Sequence, residues 1–137
     1  MPDRPEIAML VDRFVRRLHA DLHHRALDVD VENVGPFGGM ILMALTELEP
    51  VPIHELAAHL ARDKSQMTRA IQALERKGYV ARMQSEADAR VSLLSLTDKG
   101  HALVTDFAEV ISGVVGRLMS PLSEAEREQF VGLLRRI

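Results

Sequence analysis

Three residues, Ala61-Arg62-Asp63, separate two segments whose apolar side chains recur at helical spacing, and Gly78 closes the second segment. A link this short joins the helices through a tight turn, so the rest of the chain has to be built around a helix–turn–helix pair. The first helix, 53–60, turns Leu56, Ala57 and Leu60 inward. The second, 64–77, has an apolar stripe of Met67, Ala70, Ile71 and Leu74 and leaves Ser65, Gln66, Thr68, Arg69, Gln72 and Arg76 polar. Asp63 stands where a side chain can cap the orphan amides of this second helix. Gly78 stands where the chain needs a left-handed C-terminal cap.

Beyond Gly78 the period changes from helix to strand. Residues 79–83 and 91–96 read as two strands joined by a polar connection, 84–90. Thr97 can cap a long helix over 98–119, whose apolar residues, from Leu103 to Met119, are too many for one stripe. Pro121 breaks it, and Ser123 with Glu126 forms a capping-box pattern that starts a last helix containing Phe130, Val131, Leu133 and Leu134.

Upstream, Ile7, Val11, Phe14, Leu18 and Leu22 mark a helix over 5–27. Asn33, Gly35, Pro36, Gly38 and Gly39 punctuate 29–39 as a loop, and a helix over 39–48 ends at Glu49-Pro50-Val51-Pro52. The expected fold is therefore mainly α with a small β-hairpin. It is a winged helix-turn-helix with long flanking helices, in a single domain of 137 residues. The DNA-binding module is assigned to 39–100 and the dimerisation helices to 1–30 and 101–137. The flanking helices carry more apolar surface than so small a domain covers, and this predicts a homodimer.

Composition removes several function classes. The sequence has no cysteine, which excludes disulfides, thiol catalysis, thiolate-bound zinc and thiol redox switching. Serine, histidine and aspartate are scattered, with no nucleophile elbow and no phosphate-cradling glycine loop, so no catalytic residues and no cofactor are assigned. The first ten residues mix charges of both signs and lack the apolar core of a signal peptide, and no apolar run is long enough to span a membrane. A cytoplasmic protein is expected.

The formal net charge of −3 does not suggest a polyanion as partner, but its distribution does. From Arg62 to Arg90 seven basic residues face four acidic ones, a surplus of three, which leaves the rest of the chain at −6. A basic centre between acidic flanks fits a chain that meets a polyanion only through its middle. The second helix of such a pair enters the major groove of double-stranded DNA. Lys64, Ser65, Gln66, Thr68, Arg69 and Gln72 are the small polar or basic types that reach base edges and phosphates there.

The run from Leu56 to Val80, LAAHLARDKSQMTRAIQALERKGYV, resembles the helix-turn-helix of the MarR family of winged helix-turn-helix transcriptional regulators. Ser65, Thr68 and Arg69 match its S-x-x-T-R, and Leu74, Glu75 and Gly78 its L-E-x-x-G. Arg82, then Asp88-Ala89-Arg90, then Leu96-Thr97-Asp98-Lys99-Gly100 match the wing signature. The resemblance implies a homodimeric repressor that reads a pseudo-palindromic operator and is released by a small-molecule effector. It places Arg90 in the minor groove, with Asp88 holding an arginine rather than touching DNA. Arg62 and Arg82 complete the DNA-facing set. The effector crevice is expected between the dimerisation helices and the DNA-binding module, with Phe14, Met43 and Phe107 as candidate lining.

The chain departs from the family pattern in the turn, where Ala61 and Arg62 stand in place of a glycine and an apolar residue. Arg62 is expected to point outward to phosphate. Two alternatives follow from other features. His19 and His23, four residues apart on one helix face and near His24 in sequence, could serve a metal-sensing regulator together with Glu47, His54, His59 or His101, although no metal site is assigned. The other alternative is a winged-helix interaction module that does not bind DNA.

Overall fold

A computed structural model describes residues 4–28 and 34–137. Their elements run α1 (Arg4–Asp28), α2 (Gly35–Leu48), β1 (Val51–Pro52), α3 (Ile53–His59), α4 (Lys64–Arg76), β2 (Val80–Gln84), β3 (Ser92–Leu96), α5 (Asp98–Leu118) and α6 (Glu124–Leu134). The fold is mainly helical with a small antiparallel sheet of order β1-β3-β2. The chain divides into two compact units, residues 28–108 and residues 1–27 with 109–137.

The central unit has one continuous apolar core. Ile41, Leu42 and Leu45 of α2 meet Leu56 of α3, the Met67, Ile71 and Leu74 stripe of α4, and Leu94 of β3. Burying such side chains is worth about 1.5–3 kcal/mol each, which is why the apolar stripes of these short helices decide their placement. Gly78 adopts the left-handed conformation expected of a helix terminator, with φ +82°. Behind it Thr97 donates its hydroxyl to the Gly78 carbonyl at 2.6 Å and accepts from the Gly100 amide at 3.0 Å, capping α5. The β2–β3 hairpin pairs Val80 with Leu96 and Gln84 with Ser92, and Val51 of β1 pairs with Leu94 on the other edge.

Three features differ from the sequence reading. Helix α2 begins at Gly35 rather than 39, because Pro36 sits in its first turn, where a fixed φ and a missing amide suit a helix start. Gly39 then lies inside the helix, and a Cβ there would stand 3.2 Å from the Phe107 ring. The sheet gains β1 from the segment read only as a helix stop, since Pro52 lies on an edge where it can lack a donor. Asp63 occupies the N-cap position of α4 with extended backbone, but its side chain makes no cap bond. Its carboxylate is exposed and can be hydrated, so nothing forces it onto the amides.

In the other unit, Phe14 of α1 meets Phe130 of α6 edge to face, with centroids 6.1 Å apart. The capping box is complete: the Glu126 amide donates to the Ser123 hydroxyl and the Ser123 amide to the Glu126 carboxylate. Arg127 donates to the carbonyls of Met119 and Ser120, tying the α6 start to the α5 end. Much of the apolar stripe of α1 (Ile7, Leu10, Val11, Phe14 and Val15) is exposed in the single chain, as are Val131, Leu133 and Leu134 of α6. Among the described residues no helix is long and apolar enough to cross a membrane.

Candidate nucleic-acid interface

Because Met67, Ile71 and Leu74 anchor one side of α4 in the core, the helix presents Lys64, Ser65, Gln66, Arg69 and Gln72 to solvent. Thr68 is half-buried and turns its hydroxyl back to the Lys64 carbonyl at 2.9 Å. That bond engages the hydroxyl proton and leaves the oxygen's acceptor capacity. The Asp63 side chain leaves the first-turn amides of α4 uncapped.

Ion pairs hold the wing at its base and at its tip. At its base the Arg82 Nε donates to Glu75 Oε1 at 2.7 Å, joining β2 to α4. Arg82, expected to face DNA, is thus partly engaged within the protein. At the tip the Arg90 amide donates to Asp88 Oδ1 at 3.0 Å, and its guanidinium spans both carboxylate oxygens at 3.2 and 3.4 Å. The bond from the Arg90 backbone, followed by that from its side chain, holds the Asp88 carboxyl below the ordinary aspartate range. The Arg90 side chain remains 91% exposed, so the latch orients it without withdrawing it from solvent. Asp88 holds an arginine, as its charge led one to expect.

Arg62 is exposed at the turn. Its guanidinium lies 5.3 Å from the centroid of the Phe37 ring, within cation–π reach. Phe37, Arg62, Gln66, Arg69 and Ala70 line one open cleft of about 510 Å³. Phe37 was not legible as a site residue, because its neighbours Pro36, Gly38 and Gly39 mark a loop and its partner is 25 positions away.

The three aromatic and sulfur side chains proposed for an effector have distinct places. Met43 and Phe107 pack against the core of the central unit. Phe14, in the other unit, borders a groove with Leu10, Arg13, Arg17 and Leu118. Of the histidines, His101 places Nε2 3.1 Å from Glu49 Oε1, while His19, His23, His24, His54 and His59 are exposed. Among the described residues no three histidine or carboxylate groups could hold a metal ion.

Comparison with known proteins decides the family. The sequence profile of the MarR family matches residues 39–92. The regulator SarZ of Staphylococcus aureus, strain MRSA252, is 33% identical over 98 residues, 72% of this chain and 65% of SarZ. The chain belongs to the MarR family. A second MarR-family relative is the transcriptional repressor MprA of Escherichia coli K12, 30% identical over 102 residues, 71% of this chain and 58% of MprA. The match thus spans less than two thirds of either relative's length. The MarR-type winged-helix fold is also that of the S. aureus MepR–DNA complex, at TM-score 0.71 and 23% identity, covering 94% of this chain and 93% of that one.

Proposed function

We propose that the protein is a cytoplasmic, sequence-specific transcriptional regulator that binds double-stranded DNA as a homodimer and acts as a repressor released by a small-molecule effector. The observation that carries this reading is the pairing of a solvent-facing polar and basic face on α4 with an exposed, latched Arg90 at the wing tip. An α4 in the major groove would offer Lys64, Ser65, Gln66, Arg69 and Gln72 to bases and phosphates. Arg90 would enter the flanking minor groove, where the negative potential favours a guanidinium. MprA, named a transcriptional repressor, and MepR, solved on DNA, support the assignment. Two copies in a homodimer would read two half-sites about one helical turn apart. The exposed apolar faces of α1 and α6 supply the surface for that pairing. Phe14, bordering a groove with Arg13 and Arg17, is the most accessible of the effector-contact candidates.

The test is fluorescence-anisotropy titration against duplex DNA from the protein's own promoter region and a scrambled duplex, across a salt series. Wild type should prefer the native duplex and weaken steeply with salt, and Arg69→Ala and Arg90→Ala should each bind more weakly. Weak, sequence-blind binding that ignores both substitutions would leave only an interaction module.

A further inference from the structure

We infer that Phe37 is a positioning residue for DNA binding, which holds Arg62 beside Arg69 so that the cleft between them takes one backbone phosphate. The inference rests on the DNA-binding reading above and assigns a role to two side chains where this chain leaves its family's turn pattern.

Gln66, Arg69 and Ala70 stand three and four residues apart and share one face of α4, and Arg62 reaches that face from the turn. Among the described residues lining the cleft there are two guanidinium groups, one amide and no carboxylate. Two like charges brought to one cleft without a counter-charge favour an anion between them. A phosphodiester, with two unesterified oxygens, matches the planar fork of a guanidinium.

How Arg62 is held separates it from Arg82 and Arg90. Arg82 gives its Nε to Glu75, and Arg90 gives its Nε and one terminal nitrogen to Asp88. Each of those ion pairs consumes donors and neutralises charge. An aromatic face does neither: it attracts the cation through the ring quadrupole and takes none of its N–H donors. Phe37 itself is fixed, half-buried at the start of α2 and packed against the core. The stack thus removes rotamer freedom from Arg62 before DNA arrives while keeping its charge and hydrogen-bonding capacity for the ligand.

The experiment measures anisotropy on the native and scrambled duplexes across a salt series for wild type, Arg62→Ala, Phe37→Leu, Phe37→Tyr and the double variant Arg62→Ala/Phe37→Leu, with melting temperatures in parallel. Arg62→Ala should weaken both duplexes by the same factor and lower the salt slope by about one, the signature of a lost phosphate contact. Phe37→Leu, which keeps the apolar body but removes the ring, should weaken binding about 2- to 5-fold, what an exposed cation–π contact is worth. Phe37→Tyr should bind as wild type, and the double variant should bind no more weakly than Arg62→Ala alone. A loss in the double variant equal to the product of the single losses overturns the inference, since Phe37 would then act independently of Arg62. Unchanged binding by Arg62→Ala overturns it too. If Arg69→Ala and Arg90→Ala still weaken binding in that case, the DNA-binding reading stands alone; indifference to all three arginine substitutions overturns both.

Discussion

Ala61 has φ +50°, a left-handed backbone that an L side chain adopts only against steric resistance. Its place in the turn is fixed from both sides, because the Ala61 amide donates to the Ala58 carbonyl and the Arg62 amide to the Ala57 carbonyl. Ala61→Gly should therefore stabilise the protein by about 0.5–1 kcal/mol, the relief of strain minus the extra freedom glycine has when unfolded. A thermal melt checks this, and a lowered melting temperature would show that the turn carries no strain. At the wing tip, Asp88→Asn removes the charge that orients Arg90 and should weaken DNA binding with little change in melting temperature, because an ion pair this exposed is screened by solvent and adds little to stability. The pH dependence follows from the lowered carboxyl pKa of Asp88. The latch is fully present above the ordinary aspartate range and is lost only as pH falls through the still lower folded-state value. Between pH 5 and 8, binding should thus show no titration step that Asp88→Asn abolishes. The family resemblance, with the repulsion between a carboxylate and phosphate, was enough to suggest that Asp88 holds an arginine, and the two side chains do meet. Sequence could not reveal Arg62 over Phe37, an encounter that only the packing of α2 beside the turn creates.

Elements were legible wherever a strong period coincided with a stop signal. Helix α4 has both, an apolar stripe and Gly78, and its bounds fall within a residue of expectation. Helix α2 has a broad apolar face but starts with two signals, Gly35 and Pro36, that serve equally well in a loop, so its first turn was missed. Strand β1 has two residues, too few to show alternation, and exists because β3 offers Val51 and Pro52 a partner edge. The α4 stripe is also where the fold is most vulnerable. Ile71 is fully buried, and Ile71→Ala should cost about 2–5 kcal/mol through lost transfer energy and the cavity left behind. Urea denaturation should show the midpoint falling with an unchanged slope. A loss under 1 kcal/mol would mean that α4 is not seated by this contact. Ser123→Ala tests the other unit: removing the hydroxyl from the capping box should cost about 0.5–2 kcal/mol.

At the scale of the whole molecule, the unexplained quantity is apolar surface. Leu10 of α1 is 46% exposed and Leu134 of α6 is 55% exposed, whereas Met67, Ile71 and Leu74 of α4 in the central unit are buried. Leaving such side chains in water forgoes about 25 cal/mol for each Å² that could be covered, and a second copy of the chain can cover them symmetrically. The composition of α1 and of the C-terminal helices made this excess visible in sequence, but sequence could not say which residues carry it, since that depends on which faces the chain buries against itself. The double variant Leu10→Glu/Leu134→Glu should therefore separate two events. In a single chain both positions are wet, so charge there costs little and the helical circular dichroism should be retained. In a dimer the same charges would be buried without partners, so the sedimentation mass should fall to that of one chain and the melting temperature should lose its dependence on protein concentration. Binding to a two-half-site duplex should drop about 100-fold or more, because linkage of the two modules is lost, while binding to a single half-site stays as it was. If wild type already sediments as one chain at tens of micromolar and both proteins bind the full duplex alike, the homodimer is wrong and each wing would have to find its half-site unaided.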